Sequence, residues 1–182
     1  MEYGGNMVPT MSAKTVDWSR KLITRHVHAI QKANPDADIL FIGPAHMEKQ
    51  IGGRWQTYSG LSMAIKMLRE VALENGLAYW DMTRVMGGEG SMTKWVKRNP
   101  PLGFTDHIHF TRRGAANMGD LFCSSLHMYY DYYLFRDRHN LNDTKLKDIR
   151  KFSDKNKADA DTTPVIDLNA EKAKSTKTGG GL

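Results

Sequence analysis

A chain of 182 residues is long enough for one compact domain and leaves little room for a second. With 40% hydrophobic and 25% charged residues it has the composition of an ordinary globular domain, and no run approaches the roughly 18–20 apolar residues of a bilayer span. The opening "MEYGGNMVPT" lacks the basic-then-apolar pattern of a signal peptide, one cysteine (Cys123) excludes an internal disulfide framework, and a net charge of +6 raises the question of an anionic partner.

In chain order, "MEY" reads as the last turn of a strand, followed by the turn "GGN". Ser12–Ala33 has the spacing of an amphipathic helix, with Val16, Ile23, Val27 and Ile30 on one face and "NPDA" stopping it. "ADILFIGP" (Ala37–Pro44) is a short apolar run ending in Gly-Pro, as buried parallel strands do. A loop carrying His46, Gly52, Gly53 and Trp55 is expected next. Ser59–Asn75 then predicts a helix with Leu61, Ile65, Leu68 and Ala72 facing inward, closed by Asn75-Gly76. "LAYWDM" (Leu77–Met82) is a second short strand, and "GGEGSMTKWVKRNPP" gives a glycine-rich turn, a short helix around Met92–Lys97 and a proline stop. The longest helix is predicted from Thr111 to about Arg136, with its aromatic cluster (Tyr129, Tyr130, Tyr132, Tyr133, Phe135) packing the last turns or capping the domain. From about residue 150 the chain is polar and lysine-rich, the composition of a disordered tail. From Thr144 onward it carries nine Lys/Arg against six Asp/Glu. No aromatics alternate with those bases, so a solvated tail is expected rather than a nucleic-acid surface.

Helix, strand, helix, strand, helix implies an α/β domain with parallel strands joined by right-handed crossovers in a three-layer α/β/α sandwich. Two good strands and one stub are few for such a sheet. The expectation is therefore a domain over residues 1–140 that is N-terminally incomplete, or that pairs with another chain. A tail follows over residues 141–182.

Ligands in open α/β sheets bind outside the carboxyl ends of the strands, and three polar features fall there: "YGGN", Asp81 and "DHIH". In a loop turning into a helix, residues i and i+3 meet, so the Asp106 carboxylate can accept a hydrogen bond from the Nδ1–H of His109. That fixes the tautomer and leaves Nε2 as a general base. Asn6 offers a side-chain N–H to an oxyanion. Two other readings of "DHIHFT" stand beside this one. It could be an edge strand, or a metal site in which His107, His109 and Asp106 converge with His26, His28 or His46.

The pieces in this order resemble the SGNH (GDSL-type) hydrolases, a family of serine esterases. Gly4-Gly5-Asn6 is similar to the family's third block, with Gly4 in the turn and Asn6 in the oxyanion hole, and Asp106-His107-Ile108-His109 is similar to its fifth. "WDMTRVMGGEGSMTKW" and "DHIHFTRRGAANMGDLF" resemble the carbohydrate and peptidoglycan O-acetylesterase branch, and the resemblance covers roughly Glu2–Met128. It implies a flavodoxin-like fold, no cofactor, and an ester substrate such as an acetylated polysaccharide or peptidoglycan. It leaves the compartment open, since full-length relatives are often exported.

The resemblance also places the nucleophile in a Gly-Asp-Ser block near the domain's N-terminus, ahead of Met1. Ser12, Ser19, Ser59, Ser62, Ser124 and Ser125 fall in or beside helices, Ser91 follows no strand, and no Gly-x-Ser-x-Gly elbow exists. The chain is expected to hold the base, its orienter and one oxyanion donor, with the serine supplied by an N-terminal segment or a partner chain. Alone it is expected to be inactive. A non-catalytic binding or assembly subunit, or an incomplete gene product, is the competing class of reading.

Overall fold

A computed structural model describes residues 1–141. The tail expected from about residue 150 lies outside the described residues. The chain divides into two compact units, one spanning Met1–Leu126 and the other beginning at His127.

The first unit opens with Glu2 bridged in parallel to Ile42, and the Ile42 N–H donates to the Met1 carbonyl at 2.8 Å. A 3₁₀ helix, Gly5–Thr10, follows. Helix α1, Val16–Ala33, starts four residues later than the apolar spacing suggests. The Thr15 hydroxyl accepts from the Ser12 N–H at 2.9 Å, and this local bond holds the segment before it in a turn. α1 buries Ser19, Ile23 and Val27, an i, i+4, i+8 stripe.

Strand β1, Leu40–Ile42, and strand β4, Ala78–Trp80, pair in parallel with Phe41 opposite Tyr79. The period-two alternation of a strand splits β1 between two apolar clusters. Phe41 joins Val27, Leu68 and Val71 on one side, while Leu40 and Ile42 join Trp80, Trp95 and Met118 on the other. Sequence and structure thus agree on an α/β fold with a small parallel sheet.

Between β1 and β4 the expected loop is instead a hairpin. β2, Glu48–Ile51, pairs antiparallel with β3, Arg54–Thr57. Gly52 and Gly53, at φ 55° and 77°, supply the two left-handed positions of a two-residue turn. Helix α2, Leu61–Glu74, buries Leu61, Ala64, Met67, Leu68, Val71 and Ala72. Ile65, expected inward, is only half-buried.

Beyond β4, Asp81 ends the strand by capping helix α3, Met82–Val85, accepting from the Arg84 N–H at 2.9 Å. Helix α4 covers Ser91–Val96 and helix α5 covers Arg112–Arg138. Within the first unit α5 buries Gly114 and Met118 and sets Phe122 edge-on to Trp80 at 5.0 Å between ring centroids.

In the second unit the aromatic residues pair along the helix. Tyr130 stacks with Tyr133, and Phe135 lies 4.4 Å from His139 between ring centroids. All five residues of the cluster are exposed.

Leu68 is fully buried between the sheet and α1. Leu68→Ala is expected to lower unfolding free energy by about 2–5 kcal/mol in urea titrations, the range for a core leucine whose cavity collapses incompletely.

Candidate active site

The segment Leu102–Thr111 forms a tight loop ahead of α5. Gly103 and Phe110 form an antiparallel bridge. Inside it the Phe104 N–H donates to the His109 carbonyl at 2.9 Å, and the His107 N–H donates to the Phe104 carbonyl at 3.0 Å. Ile108 packs against the cluster of Phe41 and Leu68, and Phe110 against that of Trp80 and Trp95. Those two apolar side chains give the loop its orientation, and the edge-strand reading fails because the chain turns back within six residues.

Asp106 closes an Asx turn. Its Oδ1 accepts from the Ile108 N–H at 2.9 Å and the His109 N–H at 3.0 Å. Its Oδ2 accepts from His109 Nδ1 at 2.8 Å. The partial burial of Asp106 opposes its charge, but the hydrogen bonds from the His109 ring and from the two backbone N–H groups outweigh it. The carboxyl pKa is held down to about 2. With Nδ1 engaged, Nε2 has no hydrogen-bond partner among the described residues, and the His109 side chain is 72% exposed. A ring oriented on one nitrogen and open on the other can exchange protons with a bound molecule.

His107, two residues earlier, has the opposite environment. It is buried, with φ 59°. Its Nδ1 lies 2.5 Å from Glu48 Oε2, and its carbonyl accepts from the Glu48 N–H at 3.0 Å. The Trp55 indole stacks on its ring at 3.7 Å between centroids and 7° between planes. Glu48 also accepts from the Thr93 hydroxyl at 2.6 Å. Burial disfavours the Glu48 charge, yet the hydrogen bonds from Thr93 and His107 outweigh it and lower the carboxyl pKa.

His46 is fully buried beside this group, with Thr57 at 3.0 Å from Nε2, and burial is the main cause that lowers its pKa. Sequence reading missed Glu48, Trp55 and Thr93. The one signal for Glu48 and Trp55 was Gly52-Gly53 between two four-residue segments of strand length, and Thr93, on α4, left none.

Gly4 is buried at φ 110°. A Cβ there would stand 2.7 Å from Leu68 Cδ1, so a side chain at this turn meets both strain and a packed leucine. Asn6 is exposed in the 3₁₀ helix. Both line a cavity of about 650 Å³ with Trp18 and His26, which Asp106 and His109 do not line. A second cavity of about 350 Å³ is lined by His46, Thr57, Ser59, Ser62 and Glu89.

The remaining histidines are dispersed, His26 beside Tyr3 at 3.4 Å and His28 on Asn75 at 2.8 Å. Among the described residues no three His, Cys, Asp or Glu groups converge to hold a metal. No described serine hydrogen-bonds His109. Ser12 is held by Thr15, Ser125 by the Leu121 carbonyl, and Ser91 Oγ is buried without a partner.

The sign of the Asp106 shift sets an acid-stability test. A carboxyl held below its ordinary value of 3.8 stabilises the fold fully above that pH. The contribution is lost as pH falls toward about 2. Because the Asp106 side chain is 47% exposed, screening limits this to about 0.5–1 kcal/mol. Asp106→Asn, which keeps the Asx-turn acceptor, is expected to cost that amount at pH 6 and nothing near pH 2 in urea titrations. A cost independent of pH would contradict the charge assignment.

No known family profile matches this chain, and no curated protein does. Solved structures do. A peptidoglycan O-acetylesterase is similar with a TM-score of 0.64 and 25% sequence identity, the match covering 70% of this chain and 36% of that one. The esterase domain of the ORF1 protein from the zebrafish ZfL2-1 retrotransposon is similar with a TM-score of 0.42 and 18% identity, covering 62% of this chain and 60% of that one. At that level the second adds nothing to a functional reading. The chain therefore spans about a third of the O-acetylesterase it matches, and the likeness is consistent with an SGNH hydrolase-like fold.

Proposed function

We propose that this chain carries the acid–base part of an SGNH-type serine esterase site. The observation that carries the reading is the Asp106–His109 pair, a carboxylate fixing one imidazole nitrogen while the other stays open. In this reading a serine hydroxyl attacks the ester carbonyl as His109 Nε2 takes its proton, and Asp106 stabilises the imidazolium. His109 then returns the proton to the departing alcohol. Water, deprotonated by the same nitrogen, next hydrolyses the acyl-enzyme. Asn6, presented by the turn at Gly4, is the oxyanion donor that this reading implies.

None of the described serines is bonded to His109, and in this reading an N-terminal segment or a partner chain supplies the nucleophile, without which the chain is inactive. Residues 1–140 then form the C-terminal part of a three-layer sandwich, with 141–182 as a separate polar tail. The similarity to the peptidoglycan O-acetylesterase supports an acetyl ester on a carbohydrate as the substrate class. No helix among the described residues is long and apolar enough to cross a membrane.

The test is p-nitrophenyl acetate hydrolysis after an N-terminal segment bearing a Gly-Asp-Ser block is fused to the chain. His109→Ala is expected to lower kcat/KM of the restored activity by about 10³-fold or more. Restored activity that survives His109→Ala would remove the base assignment.

A further inference from the structure

We propose that Glu48 is a positioning residue for His109, acting through His107, with Trp55 completing the clamp. This rests on the reading of His109 as the general base. His109 is largely and Asp106 about half exposed, and an ion pair in water holds two side chains in one geometry only weakly. Ile108 and Phe110 seat the loop on the two apolar clusters, and a polar contact is needed to fix the turn between Asp106 and Ile108.

The loop supplies one buried polar anchor, His107, whose ring contacts run to Glu48 and Trp55 of the β2–β3 hairpin and to Thr93 on α4. Glu48 grips it twice, through the ring nitrogen at 2.5 Å and through the backbone, with its N–H on the His107 carbonyl at 3.0 Å. The indole of Trp55 covers the ring face, with 7° between the planes. Gln50 faces Trp55 in the hairpin register, so β2 and β3 act on the loop as one unit.

The backbone at His107 makes the arrangement costly to keep without that clamp. A φ of 59° is a conformation that residues with a Cβ adopt seldom, and it persists where the surroundings over-determine it. The left-handed turn at His107 lets the chain reverse between Asp106 and Ile108. As a result the Ile108 and His109 N–H groups both reach Asp106 Oδ1. Release of His107 from Glu48 therefore loosens the two backbone bonds that set the direction of the His109 side chain. His107 itself is closed to the solvent and bonded, so its part is anchoring rather than proton transfer.

The experiment uses the 182-residue chain, labelled with ¹⁵N, and reads amide exchange at Ile108 and His109 together with the ¹⁵N signals of the His109 ring. Glu48→Ala is expected to speed exchange at both amides by about tenfold or more, with Leu68 and Val71 in α2 unchanged. The His109 ring should pass from one tautomer to a mixture. Glu48→Gln keeps an acceptor oxygen for Thr93 and His107, and is expected to restore both readouts to within about threefold of the parent.

If Glu48→Ala unfolds the chain, seen as lost protection at Leu68 and Val71, Trp55→Ala removes the ring contact from a partly exposed position and should give the same local acceleration. Unchanged exchange and an unchanged tautomer in the folded variant overturn the proposal. These readouts need no activity, so they separate failure of the clamp from failure of the esterase reading. In the serine-supplied fusion the same Glu48→Ala change should lower kcat with KM held.

Discussion

The contact between His107 and Glu48 joins residues 59 apart in sequence and brings the loop before α5 onto the hairpin after β1. Both side chains are almost fully buried, at 6% and 4% exposure. Two ionisable groups in such a place lose hydration worth several kcal/mol each, and their attraction returns it only when the other lone pairs and protons are satisfied. Here Thr93 bonds the same carboxylate oxygen, the backbone N–H of Glu48 meets the His107 carbonyl, and Trp55 excludes water from the ring face. A buried pair of this kind adds little net stability over a well-packed apolar alternative. What it supplies is register, because few other placements of the loop satisfy both groups.

The loop thus carries two histidines, each paired with a carboxylate, whose surroundings give them opposite work. His107–Glu48 is shut off from solvent, while His109–Asp106 is open to it, at 72% and 47% exposure. A closed pair can anchor but has no path for a substrate proton. An open pair has the path, yet water screens its attraction and leaves it poorly fixed. Placed two residues apart on one rigid loop, each compensates for what the other lacks.

The parts of this arrangement legible in the sequence are those fixed by short-range patterns. β1 and β4 show as apolar runs, and α1 and α2 as 3.6-residue stripes, because burial on one face writes a period into the chain. The Asp106–His109 bond is an i, i+3 contact and can be read from spacing alone. The hairpin escaped because residues 50–56 are exposed, so its strands carry no alternation of apolar and polar residues. The only mark it left was the Gly52-Gly53 turn. Glu48 escaped for a different reason: a charged residue in a polar stretch reads as solvated, and its partner lies across the fold. The buried face of α2 runs through Ala64, Met67 and Val71 and leaves Ile65 at its margin, a rotation of the stripe too small for the spacing of apolar residues to resolve.

The topology gives the clamp a further consequence. Glu2, Ile42 and Trp80 lie side by side in one parallel arrangement, so the chain leaves all three at the same edge of the sheet. From that edge emerge the turn at Gly4 and Asn6, the segment leading to Glu48, and the cap at Asp81. In parallel sheets this carboxyl edge is where ligands bind, since successive loops converge there without crossing. The loop before α5 has no strand of its own to deliver it to that edge. It is held there by Ile108 and Phe110 in the two apolar clusters and by His107, seated on a glutamate only six residues beyond Ile42. The buried histidine therefore helps to set which side of the sheet the exposed histidine faces, through a contact that is itself closed to solvent.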